Sequence, residues 1–300
     1  MSCACNKEDR QIIDAILETG EDRIPLKANR AKTFLRVLFF FVAGIAAFVL
    51  MWTIVSAIYD EYFMYALKFP TPLMVWDKLV DLFVNGATIS SIPITEHLES
   101  SLYRWVIGFL LGFAIGLLLG VILSMNDKLY DFGMVPVSIW QMIPSLAWMP
   151  VTILIFGFGD RSAIFIISAT VIAPIAINVA NGLRRVPPVY RKLALMGEKD
   201  WFVRMFGIMI PYASLDVVTG LRIGMANGWR TLISAEMVVG VARGLGFSIS
   251  MATEHSSYTT AFACIVIICT VGVIIDRIIL ANVEKFVRKK SGMEDDVCCQ

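Results

Sequence analysis

The sequence predicts an all-α, polytopic membrane protein with about six membrane-spanning helices. Three observations carry this. Hydrophobic residues make up 57% of the 300 residues and charged ones only 17%, well to the apolar side of soluble domains. Several apolar runs approach or exceed the roughly 20 helical residues that match a bilayer core. Lysine and arginine gather in alternate segments between those runs, as topology requires. The net charge of +1, with no basic arm or aromatic-interleaved basic patch, argues against a nucleic-acid partner. Membrane lipid is the expected surrounding.

Residues 1–36 are polar and read as a cytoplasmic N-terminal segment. They are not a secretory signal, because the apolar run comes late and no small-residue cleavage site follows it. Ile12, Ile13, Ile16 and Leu17 recur at helical spacing, which predicts an amphipathic surface helix over 8–19. Cys3 and Cys5, with Cys298 and Cys299 at the other end, form CxC and CC pairs with no histidine nearby. These are poor zinc spacings; reduced thiols are expected and no metal site is assigned. Residues 37–59 are the first span. Residues 60–101 are mixed, punctuated by Pro70, Pro72 and Pro93, with a short amphipathic helix suggested by Leu73, Val75, Trp76, Leu79, Val80 and Phe83.

Residues 105–124 form the second span. Gly108, Gly112, Gly116 and Gly120 fall every fourth residue, so one face is bare enough for another helix to approach closely. Residues 132–157 are apolar but broken by Pro136, Pro144 and Pro150. Broken helices at membrane depth need protein or a water-filled cavity to take up the freed backbone groups. Pro144 and Pro150 therefore mark either a lining of a pathway or a simple kinked span. Residues 162–181 (with Pro174 inside), 212–239 and 259–283 complete the spans. The membrane domain is 37–285 and the tail 286–300.

Orientation follows from the basic residues. With the first span running inside to outside, the inner segments are 1–36, 125–130, 182–211 and the tail, and they hold most of the lysine and arginine. The outer segments hold Lys68, Lys78, Arg161 and Arg243 beside Asp60, Glu61, Asp77, Asp81, Glu96 and Glu99. Both termini and the 182–211 loop are thus expected in the cytoplasm. That loop combines Arg184, Arg185, Arg191, Lys192, Lys199 and Arg204 with apolar Leu193, Met196, Trp201, Phe202, Met205 and Phe206. Pro187 and Pro188 break the incoming helix, so the loop reads as short helices able to press on a partner.

Charged residues inside spans cost about 2.5–3.5 kcal/mol each near the bilayer centre and usually face a cavity or a partner. The fifth span carries Arg222, Arg230 and Glu236; the sixth carries Asp276 and Arg277. Arg222 and Arg230 lie within about 80° of each other on a helix. One reading is a basic patch on the route of a small anion, with Glu236 as partner or gate. The other has Arg222 and Arg277 snorkelling to the inner interface and Arg230 with Glu236 paired structurally or at the outer interface. His97 and His255 fall in outer segments without a metal-spaced set around them.

The motifs in order resemble the membrane subunit (permease) of bacterial ATP-binding-cassette importers, closest to the nitrate, taurine and aliphatic-sulfonate group. The family's loop pattern is EAA, three residues, Gly, nine residues, I-x-L-P. It lies gaplessly over Lys192, Leu193 and Ala194, then Glu198, then Ile208, Ile210 and Pro211. Lys192 stands where Glu is usual, Leu193 where Ala is usual, and Glu198 where Gly is usual, with Gly197 adjacent. HLESSLYRWVIGFLLGFAIGLLLG, IWQMIPSLAWMPVTILIFGFGDRSAIF, NGLRRVPPVYRKLA, TGLRIGMANGWRTLISAEM and GLGFSI follow the group's order over roughly residues 65–285.

This resemblance implies the type I importer permease fold and a translocation pathway for a small solute, an anion such as a sulfonate, taurine, nitrate or bicarbonate. It implies that Lys192, Leu193, Ala194, Gly197 and Glu198 meet a separate ATPase present in two copies, which uses ATP and magnesium. An extracytoplasmic solute-binding protein delivers the cargo, and the permease pairs with a second permease, a copy of itself being the expected one. The chain has no G-x-x-x-x-G-K-[ST] loop, so it is expected to bind no cofactor and to be no enzyme. The multi-pass plasma (inner) membrane is the implied location. The alternative, a stand-alone secondary transporter or channel, would call for internal repeats or ion-coupling carboxylates at mid-membrane.

Overall fold

The computed structural model describes residues 30–62, 68–187, 189, 203 and 205–290. The predicted surface helix over 8–19, the terminal cysteines and the loop positions Lys192, Leu193, Ala194, Gly197 and Glu198 lie outside the described residues. The chain divides into two units, residues 1–64 and 65–300.

In the first unit, α1 (Arg30–Tyr62) carries an apolar stretch, Leu38–Tyr59. Phe39, Phe40, Phe41 and Phe48 are all exposed on it. A helix apolar on every side belongs in hydrocarbon.

The second unit opens with α2 (Pro72–Phe83). Its start is set by the Thr71 hydroxyl, which accepts the Met74 N–H, and by Pro72 in the first turn. Val75 and Leu82 are buried, whereas Leu73 and Trp76 are exposed. A small hairpin follows, β1 (Thr88–Ile89) against β2 (Ile92–Pro93). Ser90 and Ser91 adopt φ of 50° and 65°, as the two-residue turn of a tight hairpin requires. Then come α3 (Ile94–Ser124), α4 (Asp127–Met142), a 3-10 turn at Ser145–Trp148, α5 (Met149–Phe156) and α6 (Asp160–Arg184). After the loop come a π-helical turn (Met205–Met209), a short helical turn (Ile210–Tyr212), α7 (Ser214–Val238) and α8 (Leu245–Glu254). The chain closes with α9 (Tyr258–Ile274), a second π-helical stretch (Ile275–Leu280) and α10 (Ala281–Lys290).

Among the described residues, four helices are long and apolar enough to cross a membrane, or five if the bent pair α4–α5 is one broken span. The segment expected as the fifth span forms α7, 25 residues long and so about 37 Å. Asp216, Arg222, Arg230 and Glu236 make it less apolar than the others. The 132–157 break falls after Met142, not at Pro136, which stays inside α4. Pro144 precedes the 3-10 turn and Pro150 sits in the first turn of α5. The two arms diverge by 98°. The bend is anchored where Trp148 and Met149 pack on a buried cluster of Ala163, Ile166, Ala235, Val239 and Val241.

The core is α6 held between α3 and α7. Ile167, Val171, Ile175 and Val179 make a β-branched ridge along α6, stiff at χ1. The glycine face of α3 receives that ridge. A Cβ on Gly108 or Gly112 would stand 2.8 Å from the Cβ of Ile167 or Val171, and one on Gly120 would stand 2.6 Å from that of Val179. α7 presents a second ladder, Gly220, Gly224 and Gly228, to the other flank of the same ridge. There a Cβ on Gly224 would stand 3.1 Å from Ile175 and one on Gly228 3.1 Å from Val171. The residue pairing makes α3 and α6 parallel and α7 antiparallel to both.

Candidate functional site

Two polar assemblies stand out against this apolar frame. The first is buried. α3 begins at Ile94, well before the apolar run at Trp105, and its extra turns place His97, Ser101 and Arg104 on one face. Opposite them, near the end of α7, Glu236 is fully enclosed. Arg104 Nη1 donates to Glu236 Oε1 at 2.6 Å and Arg104 Nε donates to Asp160 Oδ1 at 2.9 Å. Ser101 Oγ lies 2.8 Å from both oxygens of Glu236 and accepts the Leu245 N–H. Gly246 N–H donates to Glu236 Oε2 at 2.9 Å, so the carboxylate also meets the positive end of α8. His97 accepts the Gly244 N–H at Nδ1 and contacts the Ile89 carbonyl through Nε2. It is therefore the neutral tautomer with the proton on Nε2. A Cβ at Gly244 would stand 2.6 Å from the Glu236 carboxylate, and one at Gly246 would collide with the Ile233 carbonyl. That is why GLG stands there. One carboxylate thereby joins α3, α7 and α8, and Arg104 extends the joint to α6.

The second assembly is exposed. The face of α7 away from α6 shows Thr219, Arg222, Ala226 and Arg230. Arg230 Nε donates to the Ala226 carbonyl and Nη2 to Asn227 Oδ1, both on its own helix. Among the described residues Arg230 has no carboxylate partner, and Glu236, weighed as its partner, belongs to Arg104 instead. Arg222 pairs with Asp276 at 3.1 Å and Glu284 at 3.3 Å, which ties α7 to the last helices. The turn between α4 and α5 packs beside α7, with Pro144 and Pro150 both exposed. Arg230, Pro144 and Pro150 are each exposed, while Glu236 is shut inside the domain.

Of the loop positions, Ile208 lies in the π-helical turn, and Ile210 and Pro211 lie in the turn that leads into α7. Close to the loop, Arg184 covers the Tyr130 ring at 4.0 Å and pairs with Asp127 at 2.8 Å. His97 stands out in the sequence only as a histidine without a metal set, and Ser101, Arg104, Asp160, Gly244 and Gly246 do not stand out there as site residues. The signal for three of them is present in HLESSLYR, where His97, Ser101 and Arg104 fall at i, i+4 and i+7.

Residues 112–289 match the family described as the binding-protein-dependent transport system inner membrane component. The chain belongs to this family. It is an importer permease of the ATP-binding-cassette class and a multi-pass inner-membrane protein. It groups with the nitrate, taurine and sulfonate permeases. Over 216 residues, 70% of this chain and 77% of the relative, it is 30% identical to the nitrate import permease protein NrtB of Synechocystis. Over 244 residues, 79% of this chain and 85% of the relative, it is 28% identical to the bicarbonate transport system permease protein CmpB of Synechococcus elongatus. Its fold matches a chain of the MetNI methionine ABC transporter in an inward-facing conformation, with a TM-score of 0.56 and 22% identity over 65% of this chain and 95% of that one.

Proposed function

We propose that the permease carries a small anion along the open polar face of α7, between that face and the α4–α5 bend, and that two copies of the chain enclose the path. The observation behind this is Arg230. It is an exposed guanidinium on a helix of the membrane domain, with hydrogen bonds only to its own helix among the described residues. A charge there is costly unless water, a partner or a ligand meets it, and a passing anion suits it. The anionic substrates named for NrtB and CmpB fit the same sign. The 182–211 loop docks on a separate ATPase, two per complex, which binds ATP and magnesium. A binding protein delivers the solute on the opposite side, and both termini face the cytoplasm.

The test is uptake by the permease reconstituted with its ATPase and binding protein, with nitrate, bicarbonate, taurine and an alkyl sulfonate offered in turn. ATP-dependent uptake of one of these anions, lowered by Arg230→Gln with the complex intact, is the expected result. Uptake of none of them, or uptake indifferent to Arg230→Gln, would overturn the assignment.

A further inference from the structure

A hollow borders the bend between α4 and α5. α4 packs on α3 and α6; past the 98° turn a groove of about 530 Å³ lies between α3, α6 and the two arms of the broken span. Its α3 wall is Tyr103, Ile107, Leu111 and Ile115, four residues apart and so one face of the helix. Its α6 wall runs from Arg161 to Ile172. Trp140 and Phe156 close it from the two arms of the broken span. Trp140 donates its indole N–H to the Ala169 carbonyl at 2.8 Å, and the Phe156 ring lies 5.4 Å from that of Phe165, so both present apolar surface to the groove. Ser168 spends its hydroxyl on the Gly108 and Ile164 carbonyls.

The groove has polarity and length. Because α3 and α6 run parallel, Tyr103 and Arg161 mark one end, Ile115 and Ile172 the other. The walls are about 17–18 Å long at 1.5 Å per residue, close to the ~15 Å of one leaflet of a bilayer core. Arg161 is exposed and has no ion-pair partner among the described residues; its neighbour Asp160 is engaged by Arg104. Tyr103 is 61% exposed at the same level, where amphipathic rings favour the membrane interface. Below Arg161 the walls offer no free donor, so a transported anion would find nothing to hold it deeper. An alkyl chain with an anionic head finds both of its requirements. We propose that this groove holds the acyl chain of one outer-leaflet phospholipid, with its phosphate on Arg161. The lipid fills this space and props the bend. The leaflet assignment rests on the orientation proposed above.

Photo-crosslinking tests this on the whole permease in vesicles of phosphatidylethanolamine and phosphatidylglycerol, doped with a phosphatidylglycerol carrying a diazirine on its acyl chain. The expected adducts map to 107–115 and 164–172, above the level on α1, which reports the unspecific annulus. Arg161→Gln should lower them about fivefold, the effect of losing roughly 1 kcal/mol of attraction per basic residue. Leu111→Trp, which fills the groove and leaves the charge, should abolish them. Adducts spread evenly over α1 and α3, or unchanged by both substitutions, would overturn the site. So would a disulfide between two copies of Leu111→Cys in an undelipidated membrane, which would put a second chain in the groove. Orientation is read separately, with Arg161→Cys and a membrane-impermeant maleimide. Labelling only from the cytoplasmic side would overturn the leaflet and the orientation while the groove adducts stand.

Discussion

Arg104 and Arg230 are the same side chain in two surroundings. Arg104 is 3% exposed and held by two carboxylates. Arg230 is exposed and held only by its own helix. A buried charge that is fully paired binds helices together; an exposed charge in a membrane domain leaves its energy to whatever arrives. The contrast separates residues that hold the permease together from the one proposed to serve its cargo, and each can be broken alone.

The largest effect should come from Glu236→Ala. It strands Arg104 in the interior with Asp160 alone, and breaking such a pair costs about 3–5 kcal/mol. Thermal unfolding in detergent should show a large drop, and replacing both partners with Arg104→Met and Glu236→Leu should recover much of it. Unfolding at the wild-type temperature for the single variant would remove the cluster from any structural role. Next is Gly112→Val, which drives methyl groups into Val171; overpacking of this kind costs about 1–3 kcal/mol. Gly44→Val on α1, where nothing lies within 4 Å, is the control and should be neutral. If both behave alike, the glycine ladder is not a packing device.

Arg230→Gln should do the opposite of Glu236→Ala. Stability should stay within about 0.5 kcal/mol, while uptake falls roughly tenfold, as expected for one lost hydrogen bond to a charged group. The smallest effect belongs to a pair in water. The Lys78 ammonium, 2.8 Å away, and then Asn85 hold the Asp81 carboxyl below its usual range. A lowered carboxylate contributes stability above its ordinary range and loses it as pH falls through the lowered value. The difference between wild type and Asp81→Asn should therefore be slight at neutral pH and vanish in acid. A difference that grows in acid would reverse the sign.

The helical membrane class and the close-packed α3 face were legible because a four-residue glycine repeat has few other uses. The mate of that face was not: Ile167, Val171, Ile175 and Val179 look like any apolar residues until a second glycine ladder appears on their other flank. The start of α3 was hidden for a physical reason. Ser101 and Arg104 drew no assignment because hydropathy cannot see that Glu236, over a hundred residues later, will satisfy them, and His97 read as an outer, watery residue although Gly244 and Ile89 take up its ring nitrogens. The same blindness placed Glu236 beside Arg230, its neighbour in sequence, rather than Arg104, its neighbour in space. The break after Met142 came from Pro144, as expected, but Pro136 left α4 unbroken.

The two glycine ladders have a mechanical consequence. With a stiff ridge of Val and Ile keyed into bare backbone on both flanks, α3, α6 and α7 cannot slip along one another by less than a full register without clashing. They form a single lever, pinned at one end by the Glu236 joint and gripped at the other where the loop leaves α6. A force at the loop would turn that lever whole, and would carry with it the elbow between α4 and α5, which packs on it through Trp148 and Met149, and the π-helical stretch after α9, which Arg222 ties to α7.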